Sequence, residues 1–171
     1  IGDAVMAFWG SPLEDERHAD HAVAAALGML EAAQRLNAAY ESRGLALLRV
    51  GIGVNTGVVR VGDLGSRQRR AYTVIGDPVN LAARFEGLTK QYDASIIVGE
   101  ATMRQAVSHR FRELGRACVA GREEPVRIFA PESVDMQRPA SGAPYVHIDP
   151  VTDRGESTGQ ALVDEGSGPR V

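Results

Sequence analysis

The apolar residues between Val23 and Val54 change their period. Val23, Leu27, Leu30, Ala33, Leu36 and Tyr40 recur three or four apart, which places them on one face of a helix that stops near Gly44. Leu48, Val50, Ile52 and Val54 then alternate with Arg49, Gly51 and Gly53, the period of two of a strand. A helix with an apolar stripe joined by a few residues to a strand has to bury that stripe on a sheet, so the periodicity predicts a mixed α/β domain. Glycines at 51 and 53 predict that the strand's second face is closely approached.

The rest of the chain continues this alternation. Asn55-Thr56-Gly57 is a turn, Val58 to Val61 resumes strand character, Gly62 to Arg70 reads as an exposed hairpin loop, and Tyr72 to Ile75 as the returning strand. Gly76-Asp77-Pro78 is a helix-start signal, because an Asp side chain can cap free N–H groups and Pro suits a first turn whose donors have no helical partner. Val79, Leu81, Ala82, Phe85 and Leu88 continue that helix; Ser95 to Val98 reads as a strand, Glu100 to Val107 as a helix, and Phe111 to Leu114 with Pro125 to Phe129 as a closing pair of strands. Ile1 to Gly10 is apolar around Gly2-Asp3, as in a short hairpin with Asp3 at a strand end or turn. From about Ser133 prolines, glycines, serines and acids interrupt apolar residues without period, so the sequence predicts one domain over 1–132 and a disordered tail over 133–171.

Charge and cysteine usage exclude several functions. With 19 basic against 22 acidic side chains the net charge is -3, whereas phosphate contacts need a basic excess, so no nucleic-acid partner is expected. The single Cys118 forms no intrachain disulfide, which fits a cytoplasmic setting. No run of about 18 apolar residues is present, so any membrane attachment is expected only through N-terminal regions outside this sequence. The start at Ile1, without a signal-peptide pattern, predicts that the chain begins inside a domain.

Three motifs in fixed order carry a specific resemblance. Ile1-Gly2-Asp3-Ala4-Val5-Met6-Ala7, Val50 to Gly57 (VGIGVNTG) and above all Tyr72 to Glu86 (YTVIGDPVNLAARFE) closely resemble the class III adenylate/guanylate cyclase catalytic domain, over Ile1 to about Pro131. The resemblance implies a ferredoxin-like cyclase core, α/β with a mostly antiparallel sheet flanked by helices, here lacking its first strand and first helices. It also implies an adenylate cyclase of bacterial type: the 3′-hydroxyl of ATP attacks its own α-phosphate and pyrophosphate leaves, at sites shared across a homodimer. Cyclases of this kind often follow a membrane-anchored sensor.

Asp3 is a hard oxygen donor suited to Mg²⁺. By resemblance it is the second of two aspartates that hold two Mg²⁺ (or Mn²⁺) ions; the plainer reading is a turn carboxylate bonding local backbone. The first aspartate is expected upstream of Ile1, so the 171 residues alone are expected to be inactive. Asn80 and Arg84 stand four apart on the predicted helix and share a face. An amide and a guanidinium fork presented together can hold a sugar oxygen and a phosphoryl group, and the resemblance gives Arg84 the transition-state charge on the α-phosphate and Asn80 the ribose. The alternative is a solvated face with Arg84 in a surface ion pair. Thr73 matches the family's purine-contact position, where Thr resembles the adenylate-forming subgroup; its Lys partner is expected before Ile1, and Thr is also at home in any strand. Arg122 aligns with a basic turn that meets the terminal phosphates, although Ala120 stands where the family commonly has Lys.

Alternatives to an adenylate cyclase are a catalytically silent cyclase-like module that dimerises and regulates, or a guanylate cyclase. A diguanylate cyclase would need a Gly-Gly-Asp/Glu-Glu-Phe turn, which the sequence lacks. Gly57 to Gly65 lacks the Gly-Lys-Ser/Thr ending of a P-loop. His18 and His21 have a spacing that permits a metal pair but no third ligand nearby; Arg67, Arg69 and Arg70 read as a solvated loop and Cys118 as a small core residue.

Overall fold

The change of period at residues 41–52 separates the helix from the sheet on which it packs. The computed structural model describes residues 4–66 and 69–132; the expected turn at Asp3, Arg67 and the segment from 133 lie outside these. In chain order the elements are α1 (His18–Glu41), β1 (Ile52–Val54), β2 (Arg60–Ser66), β3 (Arg69–Ile75), α2 (Asp77–Leu88), β4 (Ile96–Gly99), α3 (Glu100–Gln105), β5 (Phe111–Ala117) and β6 (Val126–Pro131). All of them fall within one unit, Met6–Pro144. Among the described residues no helix is long and apolar enough to cross a membrane.

Four strands form one sheet in the order β1-β4-β6-β5, and β2 and β3 form a separate hairpin. β1 runs parallel to β4, with Ile52 opposite Ile96, while β4–β6 and β6–β5 are antiparallel. The sheet is therefore mostly antiparallel, as expected. Its two faces are read from alternate residues. Ile96, Val98 and Phe129 pack with Ala19, Val23, Ala26 and Leu30 of α1, whereas Ile97, Ile128 and Ala130 pack with Leu81 and Phe85 of α2. Helices thus cover both faces, which is why all four residues of β4 are buried and why it reads as an unbroken apolar run.

Four expectations need correction. The β1 strand is shorter than the alternation suggests, because the Leu48 N–H and C=O are taken by the Asn37 side chain of α1, at 2.7 and 2.8 Å, in place of a ladder partner. The expected loop Gly62–Arg70 is instead mostly ladder, paired from Arg60 opposite Ile75 to Ser66 opposite Arg69. Ala4–Trp9 form neither helix nor strand, since none of the described residues pairs with them. Cys118 is exposed just beyond β5, outside the core.

The close approach implied by Gly51 and Gly53 is made by α2. A Cβ on Gly53 would collide with the Ala82 carbonyl and the Glu86 amide, and one on Gly51 with the Thr89 hydroxyl. Helix α2 can lie this close only because β1 carries no side chains on that face.

Candidate active site

β3 leads directly into α2, so the purine-contact candidate and the phosphate candidates follow one another along a strand and a helix. Thr73 is half-buried on β3, opposite Gly62. Gly76, at φ +152°, is the N-cap of α2, with Pro78 in the first turn. Asp77 does not cap the helix as its position suggests; its carboxylate forms an ion pair with Arg122. Leu81 and Phe85 turn into the core, which leaves Asn80 exposed and Arg84 half-buried on the flank of the helix beside them. Among the described residues neither the Asn80 nor the Arg84 side chain has a hydrogen bond or ion pair.

The connection from β5 to β6 meets that face of α2. Gly121 turns the chain at φ +76°, and a Cβ placed on it would lie 3.4 Å from Nη2 of Arg84. The Arg84 guanidinium therefore lies over the Gly121 backbone, and Arg122 next to it is tied to Asp77. The structure brings Arg84 to the Arg122 turn, with Asn80 one helical turn from Arg84. Thr73 makes no side-chain hydrogen bond to any of them among the described residues. A cleft of about 450 Å³ adjoins the turn, and Arg116, Arg122, Arg127, Glu100, Leu81 and Phe85 are among the residues that line it.

Arg127 was not singled out by sequence reasoning. It binds Glu113 through Nε at 3.0 Å and Nη2 at 2.7 Å, and Glu100 through Nη1 at 2.9 Å. Its hydrogen bonds to Glu113 hold its pKa above the usual guanidinium value, and the same bonds lower that of Glu113. Opposite charges on two strands expected to pair were the available signal, but neither sequence period nor a motif marks them. This network ties β5, β6 and α3 together along one wall of the cleft.

No group of three or more His, Cys, Asp or Glu side chains among the described residues is arranged to hold a metal ion. Nδ1 of His18 and of His21 is bonded to Asp15, at its carbonyl (2.9 Å) and its carboxylate (2.8 Å) respectively, and among the described residues no group of three ligating side chains forms around them. The described residues by themselves therefore do not fit a divalent-ion centre, and Asp3 lies outside them.

The description of the matching family model is adenylate and guanylate cyclase catalytic domain, over residues 1–130. The chain is 39% identical over 129 residues to adenylate cyclase 1 of Rhizobium meliloti and 36% identical over 137 residues to an adenylate cyclase of Anabaena cylindrica, with 75% of this chain covered in each case. It spans 19% and 26% of those relatives. Among solved structures, the adenylyl cyclase CyaB from P. aeruginosa superposes with a TM-score of 0.66 at 28% identity, covering 77% of this chain and 66% of that one. The guanylyl cyclase Cya2 superposes with a TM-score of 0.62 at 32% identity, covering 72% of this chain and 62% of that one.

Proposed function

The chain belongs to the class III adenylate and guanylate cyclase catalytic-domain family, and from that membership we propose that it is part of an adenylate cyclase converting ATP to 3′,5′-cyclic AMP and pyrophosphate. The observation that carries the reading is the Arg84 guanidinium, half-buried, without an ion-pair partner among the described residues, one helical turn from Asn80 and against the Arg122 turn. A guanidinium held without a counter-ion is suited to charge that develops elsewhere, here on the α-phosphate as the ribose 3′-oxygen bonds to phosphorus and the bond to the departing pyrophosphate breaks. Asn80 would orient the ribose, Thr73 would meet the purine and Arg122 the terminal phosphates.

The family depends on divalent ions, and the reading assigns Asp3, with a carboxylate upstream, to two Mg²⁺ or Mn²⁺ ions that neutralise phosphate charge when bound. The site is composite: one subunit of a homodimer supplies Asp3 and the other Thr73, Asn80 and Arg84. Residues 1–132 belong to the catalytic domain in this reading, 133–171 lie outside it, and the domain works on the cytoplasmic side of any membrane anchor.

The test is formation of cyclic nucleotide by the full-length protein with Mg²⁺ or Mn²⁺, given ATP and GTP separately. Cyclic AMP from ATP is the expected product. The relation to Cya2 supports a second reading, a guanylate cyclase, for which GTP would be preferred. Ala120 in place of Lys supports a third, a silent dimerising module. Absence of product from either nucleotide would leave only that one.

A further inference from the structure

Asp77 opens α2, yet its side chain makes no capping bond and is bound to Arg122, 45 residues further along the chain. Asp77 and Arg84 stand seven residues apart, two turns of helix, so they share the stripe that the Gly121–Arg122 turn covers. Two guanidinium groups, Arg84 and Arg122, therefore meet at one turn, and the carboxylate on their stripe is committed to Arg122.

We propose that Asp77 is a counter-ion that holds Arg122 in the empty site and competes for it with the polyphosphate of the substrate. The proposal rests on the assignment of Arg122 to the terminal phosphates. Its physical basis is the exposure of the pair: 58% of the Asp77 side chain and 38% of that of Arg122 face solvent. An exposed pair is weak and readily exchanged. A polyphosphate brings more charge and several oxygens in the geometry that a guanidinium fork matches, so it wins the exchange, but it binds less tightly than it would to an unclaimed arginine. Asp77 is thus a positioning residue: it keeps Arg122 beside α2 and offsets one of the two positive charges that meet at the turn.

Calorimetric titration with inorganic tripolyphosphate tests this, because that probe binds without being cyclised. In the full-length protein Asp77→Asn is expected to bind it about two- to fivefold more tightly, the range in which exposed ion pairs shift an equilibrium. Asp77→Glu, which keeps the charge, is expected to return toward the original affinity. Arg122→Ala weakens binding, and adding Asp77→Asn to it is expected to give little further change. Unchanged or weaker binding by a folded Asp77→Asn protein overturns the proposal. So does equal tightening with and without Arg122, which would mean general repulsion, and so does the absence of tripolyphosphate binding in every form. Cyclic AMP formation from ATP, measured in parallel, reports separately on the cyclase reading.

Discussion

Gly53 of β1 and Ala82 of α2 meet backbone to backbone: a Cβ on Gly53 would overlap the Ala82 carbonyl. That contact sets the height of α2 above the sheet and so the position of Asn80 and Arg84 on its flank. Packing here leaves no space for even one methyl group.

Gly53→Ala is therefore expected to destabilise the domain by about 1–3 kcal/mol or more, the cost of overpacking a close-packed contact. Gly28→Ala provides the contrast, because Gly28 lies inside α1 with nothing within 4 Å of where its methyl group would sit, and helix interiors favour Ala over Gly by about 0.5–1 kcal/mol. Denaturant titration of both variants checks the opposite signs. A Gly53→Ala protein as stable as the original would mean that α2 is not fixed by this contact.

Arg84→Ala is expected to lower kcat by on the order of 10² to 10³, the usual loss for one preorganised donor, with little change in KM. The half-buried guanidinium has no ion pair to lose among the described residues, so the fold should survive the substitution. Steady-state kinetics on the full-length protein separate the two constants. An unchanged kcat with a raised KM would make Arg84 a ground-state contact.

The Asp20 carboxylate of α1 is buried and accepts the Ser108 N–H at 2.9 Å, which holds its pKa below the usual carboxylate value. A carboxylate whose pKa is lowered by folding contributes stability above its unfolded pKa and loses that contribution as the pH falls through its folded pKa. Asp20→Asn is accordingly expected to be less stable than the original chain near pH 7. The difference should begin to shrink near the ordinary aspartate value of 3.8 and vanish in stronger acid. Thermal melts at pH 7 and across the acid range follow it; a difference independent of pH would assign the effect to packing.

Period and motif carried much of this architecture. The Val23–Tyr40 stripe, the Gly51 and Gly53 gaps and the YTVIGDPVNLAARFE run place α1, β1, β3 and α2. What was not legible depended on partners distant in sequence. Leu48 alternates like a strand residue, but Asn37 takes its backbone groups; Asp77 looks like a helix cap, but Arg122 takes its carboxylate. In each case a local preference lost to a side chain that the fold brought alongside. Arg127 illustrates the same limit, because its pairing with both Glu113 and Glu100 exists only once β5, β6 and α3 are assembled.

The composite site makes a prediction about mixtures. In the proposed reading Asp3 and Arg84 would serve each site from different subunits, so a homodimer would have two equivalent sites, each built from both chains. Homodimers of Asp3→Ala and of Arg84→Ala should both be nearly inactive. When the two are mixed in equal amounts and allowed to exchange, half of the dimers are mixed. Each mixed dimer combines both defects in one site and leaves the other intact, so about a quarter of the original activity should return. Cyclic AMP formation by the mixture, against each variant alone, measures this, with subunit exchange shown independently by a labelled pair. If exchange occurs and no activity returns, one chain supplies both residues to the same site, and the shared-site reading is wrong.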